Sequence, residues 1–522
     1  MGEYYAPGGP SAARPAVGRR ANPVRPRRID PVLCGGCAVV VIASMTVRVD
    51  LTAVVTGATA VLLWARWQVM SWGVLAVLVI IATIALGRSA VEQRALSEAV
   101  LGPHEGWVTV RGEPRVTASA VRAVVVVDGQ RYEVWGRSST ARRELAAAGA
   151  GDRLYVLGER RSLSPERAEV VAWQHVIGEY RVSEFVDTAP GTVAARLSGA
   201  VRSSIRRGAD QIPDAERALF SGLVIGDRRG QSSELTARFR DSGLSHLLVV
   251  SGLNVTLLLV GLSPLLVRLA PMFRWLMTVI VVVWFAGLTH FEPSIMRASA
   301  MAVISVTAFS TGRSRDPTRM LMLAVLALVL IDPLVVRSVG MWLSASATAG
   351  VCAIAPAFAA RARAMPRYRA RYGGGAAGVA RHRGRRRCVD WFVDSMAVAA
   401  GAQAGVAIPL MATFGSMPLI SIPANLVAVP IASAVKLYGL PAALITGMLP
   451  AIGPVLMWPA VIGTWLVDRI AAMAVMAEPA GSVRAVIWVM VVVGVAVVWW
   501  NGRRARSAAT TWSRNGRLSV DR

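Results

Sequence analysis

Apolar runs dominate the chain, and short polar or arginine-bearing turns bound them. Runs near the ~20 residues that a helix needs to cross a hydrocarbon core fall at 31–49, 51–66, 70–87, 244–269, 274–290, 295–311, 318–331, 336–357, 391–413, 453–476 and 482–500. The stretch 418–449 reads as one span, two, or a broken one, because Pro423, Pro430 and Pro441 interrupt it. The pattern predicts an α-helical polytopic membrane protein with about 10–13 transmembrane helices. Between 105 and 180 the period shifts to two. WVTVRGEPRV, VRAVVVVDGQRYEVWG, GDRLYVLGER and AEVVAW read as strands, with Asp128-Gly129 as a hairpin turn, and predict a compact β domain read as a small barrel. Residues 190–243 predict two or three amphipathic helices, one bearing Arg196, Arg202, Arg206 and Arg207 on a polar surface at the membrane interface. Ser232 caps a short helix with Glu234 in its first turn, and Gly243 stops it.

Composition narrows the class. Of 522 residues 54% are hydrophobic and 17% charged, which excludes an ordinary soluble protein. The formal net charge of +26 suggests a nucleic-acid binder, but the arginines crowd residues 1–30, the 361–387 loop and the tail after 502. That is the positive-inside pattern of a plasma-membrane, multi-pass protein, whose basic tails can also touch anionic lipid headgroups. With those regions cytoplasmic, the turns at 268–274 and 312–319 fall inside, whereas 88–243, 288–294 and the IDPLVV segment fall outside. The expected division is a basic tail (1–30), N-terminal transmembrane helices (31–88), an extracytoplasmic β domain (89–189), amphipathic helices (190–243), a transmembrane domain (244–500) and a second basic tail (501–522). No cleavable leader is evident. Cys34 and Cys37 form a CxxC inside the first apolar run, where they read as small buried residues rather than metal ligands.

Polar residues inside apolar spans cost free energy unless they meet a partner or water, so they mark a site or a pathway. His246, Ser251, Gly252 and Asn254 are such residues. On a straight helix His246 and Ser251 stand about 140° apart and Ser251 and Asn254 about 60°. A catalytic pair within one helix is therefore not expected. A helix unwound at Ser251-Gly252 and lining a cavity is the functional reading; a helix contact through small residues is the structural one. Arg297 must face protein, water or phosphate, or pair with Glu292 near the outer end. Asn425, between Pro423 and Pro430, predicts a broken helix. In the β domain Trp107, Tyr132, Trp135, Tyr155 and Trp173 either stack bases or pack the core. His104, His175, His246, His290 and His382 are isolated in sequence and no GxxxxGK[ST] loop occurs, so no metal site, cofactor or ATPase motor is expected.

Four ordered blocks carry a resemblance. DSGLSHLLVVSGLNV, GLTHFEPSIMRASAM, RDPTRMLMLAVLALVLIDPL and ISIPANLVAVP, spread over about 215–450, resemble the motifs of the ComEC-type competence family. The family often has histidine at the position of Asn254, so the resemblance does not support a role there that requires an ionisable group. The resemblance implies an OB-like fold for the β domain and, for the whole, a channel that moves single-stranded DNA into the cytoplasm during natural transformation. It would work with an external DNA receptor and a cytoplasmic ATP-driven motor, and a homo-oligomer is compatible with it. Many members continue into a metallo-β-lactamase-like domain whose clustered His-x-His-x-Asp-His is missing here, so no enzyme activity is expected. The resemblance also leaves room for a transporter or flippase of another anionic polymer or lipid, an intramembrane hydrolase built on Ser251, and a degenerate member without transport activity. On the channel reading the pathway residues are His246, Ser251, Gly252, Asn254, Arg297 and Asn425.

Overall fold

The computed structural model describes residues 72–479 and 481, except 118, 314, 367, 369–382, 416 and 417. The spans expected at 31–49, 51–66 and 482–500, the Cys34 and Cys37 pair, His382 and both basic tails lie outside the described residues.

Helix α1 (Trp72–Ser97) leads into a closed barrel of β1 (Gly102–Val116), β2 (Val121–Val127), β3 (Gln130–Gly136), β4 (Arg153–Ser162) and β5 (Val176–Ala189). Helix α2 (Ser139–Ala147) joins β3 to β4, and α3 (Pro165–Val171) joins β4 to β5. The strand order is β1-β2-β3-β5-β4, with β3 and β5 parallel, which is OB topology. Alternation explains the barrel: every second residue of β2, from Val121 to Val127, is buried, and so are Val108, Val110 and Val156. Tyr132 and Tyr180 meet edge to face at 6.5 Å in the interior. The hairpin turn falls at Asp128 and Gly129, both at positive φ, as a tight turn between twisted strands requires. One expectation fails here. AEVVAW is not a strand: Ser164 accepts from the Arg167 amide as an N-cap, Pro165 opens the helix and Glu166 sits in its first turn. These start signals outweigh the strand preference of Val170 and Val171.

Three amphipathic helices follow, α4 (Val193–Ala209), α5 (Asp214–Ile225) and α6 (Ser233–Asp241), the last capped by Ser232 as expected. Gly243 ends that segment at φ +72°. Helix α4 does not lie free at an interface: a Cβ on Gly208 would come within 2.0 Å of the Ala443 carbonyl, so α4 packs backbone to backbone on the helical body.

That body comprises α7 (Gly252–Leu266), α8 (Pro271–Leu288), α9 (Pro293–Ser310), α10 (Pro317–Ile331), α11 (Val339–Ala353), α12 (Ala355–Ala364), α13 (Arg383–Phe414), α14 (Ser421–Met448) and α15 (Gly453–Ala477). Five segments are long and apolar enough to cross a membrane: α8, the α11–α12 run, Arg387–Phe414 of α13, α14, and Pro450–Ala477 with α15. The 418–449 stretch is one continuous helix with Pro430 and Pro441 inside it, not a broken one. The 244–269 run is the broken one: a short 3-10 turn at Ser245–Leu247 precedes α7, which begins only at Gly252. Leu219, Phe220 and Leu223 of α5 pack into a core with Ala424, Ala428 and Ala432 of α14 and Met457 of α15. The barrel sits at one end of the body, where Arg115 meets Glu292 at 3.5 Å just before α9. At the far end of α9, Arg274 and Arg315 both stack on Phe309, at 4.4 and 4.6 Å.

Candidate functional site: an arginine vestibule and a broken helix

Strand alternation turns Arg111, Arg122 and Arg131 outward from the barrel, toward the ends of α8, α9 and α10. A cavity of about 350 Å³ lies between them. Six arginines line it: Arg111, Arg115, Arg122, Arg131, Arg202 and Arg228, against the four carboxylates Glu113, Asp227, Glu292 and Asp332. The carboxylates are already engaged. Glu113 accepts from Arg206 (2.9 Å) and Arg229 (2.7 Å) and forms an ion pair with Arg202 (3.1 Å), and Asp227 pairs with Arg206 (2.9 Å) and Arg229 (3.2 Å). Glu292 holds Arg115, and Asp332 meets His175 at 3.0 Å, which also meets Glu92 of α1 at 3.3 Å. Arg111, Arg131 and Arg228 have no carboxylate in ion-pair contact among the described residues; Arg131 donates to the Gln174 carbonyl at 2.7 Å.

Burial disfavours charge throughout this mouth. It pushes Arg131 down to about 10, with Arg111 adding to the effect, and lowers Arg115, which Arg228 lowers further. Arg131 remains cationic at neutral pH, so its charge, unpaired by any carboxylate in ion-pair contact, is available to an anion that enters. His290 is pushed down to about 4, first by burial and then by Arg202, although Glu113 pulls the other way. Burial raises the Asp227 carboxyl against the pull of Arg206 and Arg202.

The expected pathway residues gather only in part. Ser251 is the N-cap of α7, but its hydroxyl makes no cap hydrogen bond. Gly252 faces Arg297, and a Cβ there would come within 2.8 Å of Nη2, so the close approach requires glycine. Arg297 is 6% exposed; its Nε donates to Ser344 Oγ at 2.9 Å and Nη1 to Met301 Sδ at 3.0 Å. The expected alternative partner, Glu292, is taken by Arg115. Asn254 is buried, and its Oδ1 accepts from Lys436 Nζ at 3.0 Å. His246 lies on the 3-10 turn and not on a helix shared with Ser251; its side chain is accessible yet lies within electrostatic reach of Lys436. Asn425 lies inside the unbroken α14, its buried Oδ1 without a partner.

The aromatics divide. Tyr132 is core, its hydroxyl donating to the Val100 carbonyl at 2.8 Å. Trp107 and Tyr155 instead form an edge-to-face pair on the barrel surface, with Arg153 over Trp107 at 5.1 Å. Sequence reasoning missed Glu113, Asp227, His290 and the buried face of α4, because their association depends on tertiary docking. Lys436 had a signal of its own: a lone lysine within the apolar run AVPIASAVKLYGLPAAL.

Comparisons with known proteins agree with this architecture. Among curated proteins, the uncharacterized protein YcaI of Escherichia coli (strain K12) is 29% identical over 145 residues, covering 26% of this chain and 19% of that relative. No solved structure matches the chain. The family described as "Competence protein" matches residues 223–503, more than half of the 522. With its apolar helices and this match, the chain is a multi-pass protein of the plasma membrane and belongs to the Competence protein family.

Proposed function

We propose that the protein is the membrane channel component through which single-stranded DNA enters the cytoplasm during natural transformation, and that the arginine vestibule is its phosphate-binding mouth. The observation that carries the reading is the set of three arginines, Arg111, Arg131 and Arg228, that face a cavity without a carboxylate of their own. Guanidinium groups recognise phosphate by a planar fork of donors, and a low-dielectric wall strengthens the attraction. The vestibule abuts β2 and β3, the strands whose face takes oligonucleotides in OB folds. The exposed Trp107 and Tyr155 pair adds a stacking surface that a lipid or an inorganic polyanion would not use. On this reading the barrel is extracytoplasmic, an external receptor delivers the strand, and a cytoplasmic ATP-driven motor draws it through.

The test is binding of fluorescent oligothymidylate to the full chain in detergent at varied salt. Affinity should fall with a log-log slope near −0.7 per phosphate neutralised. Combining Arg111→Gln, Arg131→Gln and Arg228→Gln should lower the slope by about two. A slope that these substitutions leave unchanged would remove the vestibule from the path. Equal competition by polyphosphate in the Trp107→Ala variant and in the unsubstituted protein would favour transport of another anionic polymer.

A further inference from the structure

Within the helical body a buried cation stands apart from the vestibule. Lys436, the sole lysine of the chain, lies in the middle of α14 and is 5% exposed. An ammonium has three N–H donors. Only one finds a partner, the Oδ1 of Asn254 at 3.0 Å, and no carboxylate is in ion-pair contact with Lys436 among the described residues. Asn254 is itself 6% exposed, and its Nδ2 has no hydrogen-bond partner. Reversing the amide would set Nδ2 against the ammonium, donor to donor, so the orphaned Nδ2–H is a property of the site and not of the assignment.

Both groups meet at the start of α7, where Asn254 lies in the first turn. The free amides of a helix N-terminus add about half a positive charge, and the Ser251 hydroxyl does not cap them. One helix turn thus gathers an ammonium, a positive helix end and a buried amide donor with nothing to bond. A contact that merely fixed α14 to α7 would satisfy Asn254 on both sides, since an unpaired buried polar group is costly.

We propose that the first turn of α7, Asn254 and Lys436 form an anion site that takes one phosphate group in its singly charged diester form. The inference rests on the channel reading only for the source of that phosphate, which a DNA strand or an anionic lipid headgroup supplies equally well. A phosphate oxygen there accepts from Nδ2 and from the spare ammonium hydrogens, and its charge offsets the buried ammonium.

The single lysine makes the site directly observable. Labelling with 15N-lysine leaves the ammonium and its three N–H donors intact and marks a single side chain, Lys436. The full chain in phosphatidylcholine nanodiscs is then titrated with dimethyl phosphate, and separately with oligothymidylate. The expected result is a saturable shift of the Lys436 Nζ signal with dimethyl phosphate. A further shift with oligothymidylate assigns the phosphate to a strand; a shift on exchanging phosphatidylcholine for phosphatidylglycerol assigns it to lipid. Asn254→Asp, which supplies a resident carboxylate to the ammonium, should remove the response. A Lys436 signal that dimethyl phosphate does not move overturns the proposal. Failure of the channel reading is separate: it is read from the vestibule salt slope, which Lys436 does not enter.

Discussion

His290 shows how docking of the barrel creates chemistry that neither part holds alone. Its backbone is in the left-handed region at φ 57°, its Nε2 is buried without a hydrogen-bond partner, and Glu113 Oε1 lies 4.0 Å away. Burial, then Arg202, push it down to about 4, whereas a free histidine titrates near 6.5. The unfolded chain therefore takes up a proton between about 6.5 and 4 that the native chain refuses. The stabilising effect is complete above about 6.5 and is lost as pH falls toward 4. The thermal midpoint of the full chain in detergent should drop across that window, and His290→Gln should flatten the drop; an equal slope in both would assign it to other groups. Arg297 gives the second residue-scale prediction. With Glu292 committed to Arg115, Arg297→Ala should leave membrane abundance intact or higher, because the substitution relieves a buried charge, while uptake per inserted molecule is lost. Arg297→Lys should restore uptake only partly, since it cannot reproduce the fork to Ser344 Oγ and Met301 Sδ. Normal uptake per molecule in Arg297→Ala would remove this residue from the path. Periodicity and insertion cost marked Arg297 and Asn254 as unusual in the sequence, but not their partners. Ser344 and Lys436 are 47 and 182 residues away along the chain, and no local pattern links them.

Among the elements, those whose determinants are local were legible. Helix α6 follows its cap and its glycine stop, β2 and β3 follow their alternation and Asp-Gly turn, and α8, α9 and α10 follow their apolar lengths within a few residues. The misses share a cause. Proline in α14 is tolerated because neighbouring helices cover the freed groups, whereas α7 breaks at Ser251 without a proline, where Gly252 admits Arg297. Small residues decide another contact that hydropathy cannot show. A Cβ on Gly405 of α13 would fall 2.1 Å from the Ser346 carbonyl of α11, and one on Gly350 would fall 2.0 Å from the Gly401 carbonyl, so these helices touch through their backbones. Gly405→Val should therefore cost about 1–3 kcal/mol or more, by forcing the pair apart, and should lower the thermal midpoint in detergent. Gly199→Ala in α4, where nothing lies within 4 Å of the added carbon, is the control and should be neutral or slightly stabilising. Equal midpoints for the two variants would show that the α11 to α13 contact is not under steric constraint.

For the whole molecule, arginine placement predicts an orientation whose two sides correspond to two ends of the fold. The charge pattern puts 88–243, 288–294 and the IDPLVV segment on one side, and these are the segments that meet around the vestibule: the barrel, the turn at Thr289–Glu292 and the end of α10 at Ile331 and Asp332. The turns assigned to the other side also converge, with Arg274 and Arg315 both over one ring, Phe309, at the opposite end of α9. The charge pattern therefore predicts that the mouth faces the outside and the arginine-bearing turns face the cytoplasm. Cysteine-accessibility labelling decides it on intact cells, with Cys352 and Cys388 first replaced by alanine and serine so that added thiols report alone. Cys34 and Cys37 are replaced in the same background, which removes all four native thiols; a cysteine at Ala150, beside the barrel, should then react with a membrane-impermeant maleimide, and one at Arg313 should react only after permeabilisation. The reverse pattern would place the vestibule at the cytoplasmic face, where it would serve as an exit rather than a mouth, and the direction of transport argued from it would have to be inverted.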